Sequence, residues 1–219
     1  VSTVDRIDYS NDTATASPKG PLSVARHDLG ATGNASFGYF GGGNTGPKST
    51  VDRIDYSNDT ATAAAKGPLS NSKRGVSATG NASFGYFGGG APSPVTTVSR
   101  IDYSSDTGTT PTKGPLSAAV YGGAALSSRA NAIPLKGPGN LEVSVSLGAF
   151  SRNFGPQGTD FGYFGGGQPG TVSTVDRIDY SNDTATAVAK GPLSVGRYGY
   201  GATSNASSGY FGGGSAPSA

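Results

Sequence analysis

"VDRIDYSNDTATA" fills residues 4–16, and the same thirteen letters return at 51–63 and 175–187. A looser copy, "VSRIDYSSDTGTT", fills 98–110. The copies start 47, 47 and 77 residues apart, so the last interval is one period with 30 residues inserted. Two further blocks keep the same beat. "GYFGGG" stands at 38–43, 85–90, 162–167 and 209–214, and "KGPLS" begins at Lys19, Lys66, Lys113 and Lys190. A repeat at a fixed period governs every other reading of a chain.

Within a unit the local signals are β. In the first copy Val4, Arg6 and Asp8 alternate with Asp5, Ile7 and Tyr9, the two-residue period of a strand. "SNDT" at 10–13 is turn chemistry, because Asn and Asp side chains close turns on their own backbone. "TATA" at 13–16 reads as a short outer strand and "PKGPLS" as a loop with two breakers. "RHDLGATG" from Arg26 and "SFGYFGGG" from Ser36 read as two strands joined at Gly33-Asn34. Four short strands per unit, with no helical period, give an all-β chain.

Composition is consistent with this. The 219 residues carry 14% charged side chains and a net charge of +2, with Lys and Arg recurring in step with Asp. A mixed surface of that kind argues against nucleic-acid binding through a basic face. Val, Leu, Ile and Phe number 37 in all, a low share that signals disorder only alongside a large net charge. There is no Cys, hence no disulfide and no thiolate metal site. No run of 18 apolar residues exists, so no helical membrane span or insertion is expected. Because the first residue is Val and Met is absent, the chain is expected to be processed or cut from something longer.

The order "GYFGGG … STVDRIDYSNDT … GPLSVAR" resembles the kelch repeat, in which a strand ends in a Gly-Gly pair and a V-E-R-Y-D-P strand follows. Gly41-Gly42 would be the doublet, residues 51–55 the second element, and Arg26 and Arg197 the motif's terminal Arg. Lys73 and Val120 occupy that place in the middle units. The family's Tyr falls on Ile7, Ile54, Ile101 and Ile178, and its Trp on Ala14, Ala61, Gly108 and Ala185. The resemblance spans all four units and implies a four-bladed kelch-like β-propeller forming a single domain over 1–219. Its blades would be 24–64, 71–111, 117–188, and 195–214 joined to 3–16. The N- and C-terminal strands would then share one blade and close the ring, which removes two raw sheet edges. Small residues such as Gly30, Ala31 and Gly33 suit a crowded axis.

Candidate sites stand against that frame. His27 is the single histidine and sits where other units carry Arg74, Tyr121 and Tyr198, so it reads as a surface residue. "DYSND" at 8–12 resembles the opening of a calcium loop but lacks the Gly and Glu such a loop needs. "GYFGGG" lacks the Lys-Ser/Thr of a phosphate loop and reads as a strand end needing positive φ or close approach. Arg6, Arg53, Arg100 and Arg177 are expected in ion pairs between blades, with a ligand-binding ring of arginines as the alternative. Six Asn-x-Ser/Thr sites recur with the repeat, at Asn11, Asn34, Asn58, Asn81, Asn182 and Asn205.

The insertion at 127–160 departs from the beat. Leu141, Val143, Val145 and Leu147 alternate with polar residues, which predicts a β-hairpin with one apolar face. That face, with Phe150, Arg152 and Phe154 beyond it, is the expected binding or assembly surface. No catalytic constellation, cofactor or metal site is expected. The expected function is a non-enzymatic structural or binding protein on the outside of a cell or on a virion, such as a phage tail fibre or decoration protein. The repeat texture is similar to that of kelch-like structural proteins of marine bacteriophages. Its expected partners are subunits of the same assembly or host-surface glycans. An intracellular kelch-type adaptor and a carbohydrate-active propeller enzyme are the alternatives.

Overall fold

The computed structural model describes residues 1–11, 13–128, 161–205 and 208–216. Their regular structure is β, apart from one 3-10 turn at Tyr56–Asn58. Strands β1 (Val4–Arg6) and β2 (Ser17–Lys19) form a two-stranded pair. Three four-stranded antiparallel sheets follow. The first holds β3 (Gly30–Gly33), β4 (Phe37–Gly41), β5 (Val51–Asp55) and β6 (Ala64–Lys66), and the second β7 (Ser77–Gly80), β8 (Phe84–Gly88), β9 (Val98–Asp102) and β10 (Thr112–Lys113). The third holds β11 (Ala124–Ser127), β12 (Phe161–Gly167), β13 (Val172–Asp179) and β14 (Val188–Lys190). A last pair, β15 (Gly201–Ser204) and β16 (Gly209–Gly212), ends the row. Among the described residues no helix is long and apolar enough to cross a membrane.

Each sheet reuses one register. Tyr39 lies opposite Arg53, Tyr86 opposite Arg100 and Tyr163 opposite Arg177. The turns that fix it are local. Asn34 Oδ1 accepts the N–H groups of Ser36 and Phe37, and Asn81 does the same for Ser83 and Phe84. After the third strand, Asp55 Oδ1 accepts both the N–H and the hydroxyl of Ser57. The same contact recurs at Asp8, Asp102 and Asp179, so the "DYS" segment is an Asx turn.

The outer strand lies later than the alternating "TATA" suggests. It is Ser17–Lys19 and its counterparts, paired as Val4 with Lys19 and Asp5 with Pro18. Residues 13–16 instead complete the turn, where Ala14 N–H donates to Asn11 O at 3.3 Å. Pro18 is tolerated in β2 because an outermost strand can spare an N–H.

Both faces of a full sheet are covered, which explains why Val51, Asp52 and Ile54 are all buried despite alternating sides. Between the first and second sheets lie Tyr39, Val51, Leu69, Phe87 and Ile101. Between the second and third lie Tyr86, Val98, Leu116, Phe164 and Ile178. Glycine makes this closeness possible. A Cβ on Gly41 would stand 2.6 Å from the Phe87 ring, one on Gly88 2.6 Å from Phe164, and one on Gly165 2.9 Å from Phe211. The next two glycines, Gly42 and Gly43, take φ of 71° and 111°, a region costly for other residues. Buried Phe87 and Phe164 each contribute about 1.5–3 kcal/mol this way, so a chain with few large apolar residues still builds a core.

The expected ring closure is absent. Strands β15–β16 and β1–β2 are two separate sheets rather than halves of one blade. The inner strands β3, β7, β11 and β15 lie side by side in chain order, and the described residues form an open row. The predicted hairpin and its candidate residues Leu141, Val143, Val145, Leu147, Phe150, Arg152 and Phe154 lie outside the described residues. What is seen is where the insertion leaves and rejoins: Ser127 lies opposite Gly162, and Ser128 N–H donates to Phe161 O at 2.9 Å.

Candidate functional site

Polar chemistry concentrates at the seams between successive sheets. In the turns at 57–60, 104–107 and 181–184 the Asp reaches back to the preceding sheet. Asp106 takes Arg53 at 2.8 Å on one oxygen and Lys66 at 3.3 Å on the other. Tyr39 OH also donates to it at 3.0 Å. Asp183 repeats this with Arg100 at 2.7 Å, Lys113 at 3.2 Å and Tyr86 at 3.0 Å. Asp59 takes Arg6 at 2.7 Å and Lys19 at 3.3 Å. Arg53 and Arg100 also lie over the Phe37 and Phe84 rings, each 4.3 Å from the centroid.

These groups are committed to one another. Burial opposes ionisation of Asp183, yet the hydrogen bonds from Tyr86, Lys113 and Arg100 hold its carboxyl below the usual range. Burial, then Asp183, raises the Tyr86 hydroxyl far above its ordinary value, so it stays a donor. The expected inter-sheet ion pairs of Arg6, Arg53 and Arg100 are present. Arg177 instead lies 3.9 Å over the Phe161 ring.

A second polar position lies inside each sheet. Arg26 is buried and pairs with Asp52 at 2.7 Å, while its other amino group donates to Phe40 O at 2.9 Å. Ser23 caps the same carboxylate through its N–H and hydroxyl. In the next unit Lys73 takes the place of Arg26 and Ser99 the place of Asp52. Lys73 then meets only carbonyls, Phe87 O at 3.2 Å and Thr97 O at 3.4 Å, and burial pushes its ammonium down to about 8. The motif's terminal basic residue is visible in sequence, but its carboxylate partner 26 residues on has no local signal.

The row's variable position lines a cleft. His27, Arg74, Tyr121 and Tyr198 each make an isolated bridge, to Asn44, Ala91, Gln168 and Ser215. Backbone bonds lace the units below them: Gly75 N–H to Asp28 O, Gly122 N–H to Gly75 O and Gly199 N–H to Gly122 O. The resulting cleft, of about 470 Å³, is lined by Asp28, Arg74, Tyr121, Gln168, Tyr198 and Tyr200 among others. Tyr121 OH donates to Gln168 Oε1. His27 is exposed at this row's start, with Nδ1 3.2 Å from Asp28. The sequence signal for the cleft is the departure from the repeat at four equivalent places, which reads as surface variation until the units are stacked.

Among the described residues no three His, Cys, Asp or Glu side chains gather as a metal site. No protein-family model matches the chain, and no curated protein matches it in sequence.

Proposed function

We propose that this chain is a non-enzymatic structural and binding protein of an extracellular or virion-surface assembly, a scaffold that contacts neighbouring subunits. One observation carries the reading: the Arg–Asp–Lys contact recurs at successive seams with its distances almost unchanged. A catalytic site needs carboxylates and cations free to meet a substrate. Here those groups are spent joining one sheet to the next, as a load-spreading row requires. Each full sheet has the four-stranded antiparallel order of a propeller blade, and the kelch-like assignment of the repeat belongs to this proposal.

The cleft favours a host-surface glycan as a second partner. Tyr121 and Tyr198 bring aromatic rings beside Arg74, Gln168 and Asp28, a mix of apolar faces and polar groups that suits a sugar. Binding to a panel of immobilised bacterial and algal polysaccharides tests this. Retention that falls at least tenfold in Tyr121→Ala and Tyr198→Ala supports it. Retention unchanged by both substitutions removes the cleft from the reading.

A further inference from the structure

We propose that two copies of this chain join head to tail, with β16 of one copy hydrogen-bonding to β1 of the next so that the two terminal pairs form one four-stranded sheet. This deepens the scaffold reading and rests on it, naming a second copy as the neighbouring subunit.

The halves are complementary in sequence and position. Strands β15–β16 are the counterparts of β3–β4, and β1–β2 those of β5–β6. In the first sheet Gly41 lies opposite Val51, Phe40 opposite Asp52 and Tyr39 opposite Arg53. The same register sets Gly212 against Val4, Phe211 against Asp5 and Tyr210 against Arg6. An unpaired strand edge is a ready template for such pairing.

Exposure is concentrated where a joint would cover it. Ile7 is 57% exposed, whereas Ile54, Ile101 and Ile178 are 6%, 2% and 2%. Tyr103 stacks on Tyr39 of the preceding sheet, and Tyr180 on Tyr86. By that rule Tyr9 would stack on Tyr163 across the joint and Tyr56 on Tyr210. Tyr9, Tyr56 and Tyr210 are the large exposed tyrosines of the molecule's described residues, at 93%, 52% and 58%.

Charge and shape agree. Arg197 is the counterpart of buried Arg26, but among the described residues it reaches only the carbonyls of Val195 and Gly213. Asp5, the counterpart of Asp52, is exposed. The joint would bring Arg197 and Ser194 to Asp5 as Arg26 and Ser23 meet Asp52. Gly41, Gly88 and Gly165 each receive a Phe of the next sheet, whereas nothing lies within 4 Å of a Cβ on Gly212. That slot fits Phe40 of the second copy. Gly191 is equally open, although its counterparts Gly20, Gly67 and Gly114 each abut a backbone carbonyl of the following sheet.

A second copy is the occupant because, among the described residues, β1 and β16 do not pair with each other, and each belongs to a sheet of only two strands. A head-to-tail contact of this kind repeats, giving a filament or a larger ring according to the rotation between copies.

The 219-residue chain, measured by sedimentation and light scattering across concentration, is expected to rise in mass by steps of 21.7 kDa. Gly212→Leu and Gly191→Ala sit in open space in the single copy, so each is expected to fold normally. Each is expected to weaken association about 10- to 100-fold by overfilling the joint. Asp5→Arg and Arg197→Asp are each expected to remain single, and mixing the two is expected to restore assembly. A monomer at every concentration, or association indifferent to Gly212→Leu and Gly191→Ala, overturns the proposal. A monomer that still binds polysaccharide through Tyr121 overturns the joint alone and leaves the binding reading standing.

Discussion

The ring of Tyr103 lies flat on that of Tyr39, their centroids 4.8 Å apart and their planes 17° from parallel, although the two belong to neighbouring sheets. The pair ties together both hydrogen-bond systems of the seam. Tyr39 OH donates to Asp106, and the Tyr103 hydroxyl meets that of Thr32 at 2.9 Å. Removing the ring should therefore cost more than its burial alone. Tyr103→Ala is expected to lose about 3–5 kcal/mol and Tyr103→Phe about 1 kcal/mol, read from urea unfolding. Equal, small losses for both would show that the stack is incidental.

The seam carboxylates predict a different pattern. Asp106→Asn leaves Arg53 and Lys66 facing an amide in a largely buried site, and is expected to cost about 3–5 kcal/mol. Asp59→Asn should cost less, because its Arg6 partner is 55% exposed and such pairs contribute about 0–1 kcal/mol. Thermal melts of the two variants side by side give the ranking. A reversed order would mean that solvent exposure does not grade these contacts.

Acid should act through the same groups. Asp183 is held below the usual carboxylate range when folded, so the unfolded chain binds its proton at higher pH. The stability it supplies is present above its unfolded value, near 3.9, and is lost as pH falls through the folded one. Asp183→Asn is expected to melt lower than the parent at pH 7 and to converge with it towards pH 3. A gap that stays constant across that range would rule out ionisation as the cause.

Much of this was legible in the letters because the repeat writes each element several times. Strand spacing, the Asx turn after "RID", and the Gly-Gly strand end follow from local rules and return at each copy. The outer strand lies beyond "TATA", although that stretch alternates like a strand: Ser17–Lys19 pairs with Val4–Arg6, which sets Lys19 within reach of Asp59 in the next sheet. The open row was not legible either. Sequence arithmetic marks the two terminal pairs as complementary halves of the repeat, but not whether the rotation per sheet brings them together in one molecule. The cleft at Tyr121 and Tyr198 lay in plain view as irregularity, and only stacking turns that irregularity into a shared surface.

Lys73 offers the most direct test of the interior. It is buried with carbonyls for company, because Ser99 stands where the first unit has Asp52. Its ammonium is pushed from 10.5 down to about 8 by burial. The unfolded chain then binds the extra proton between pH 8 and 10.5, so stability should rise with pH across that window, by roughly 3 kcal/mol in all. Lys73→Met removes the titrating group and should flatten this rise relative to the parent, with the tyrosine background common to both. Ser99→Asp supplies the missing carboxylate beside Ser70, whose hydroxyl already meets Ser99 at 2.9 Å. A Lys–Asp pair there should return the Lys73 value towards normal, abolish the rise and raise stability at pH 7. Urea unfolding of the three proteins at pH 7 and pH 10 decides the matter. A rise that persists in Lys73→Met would trace it to other groups, and a destabilised Ser99→Asp would show that the second seam cannot accommodate the pair that the first one carries.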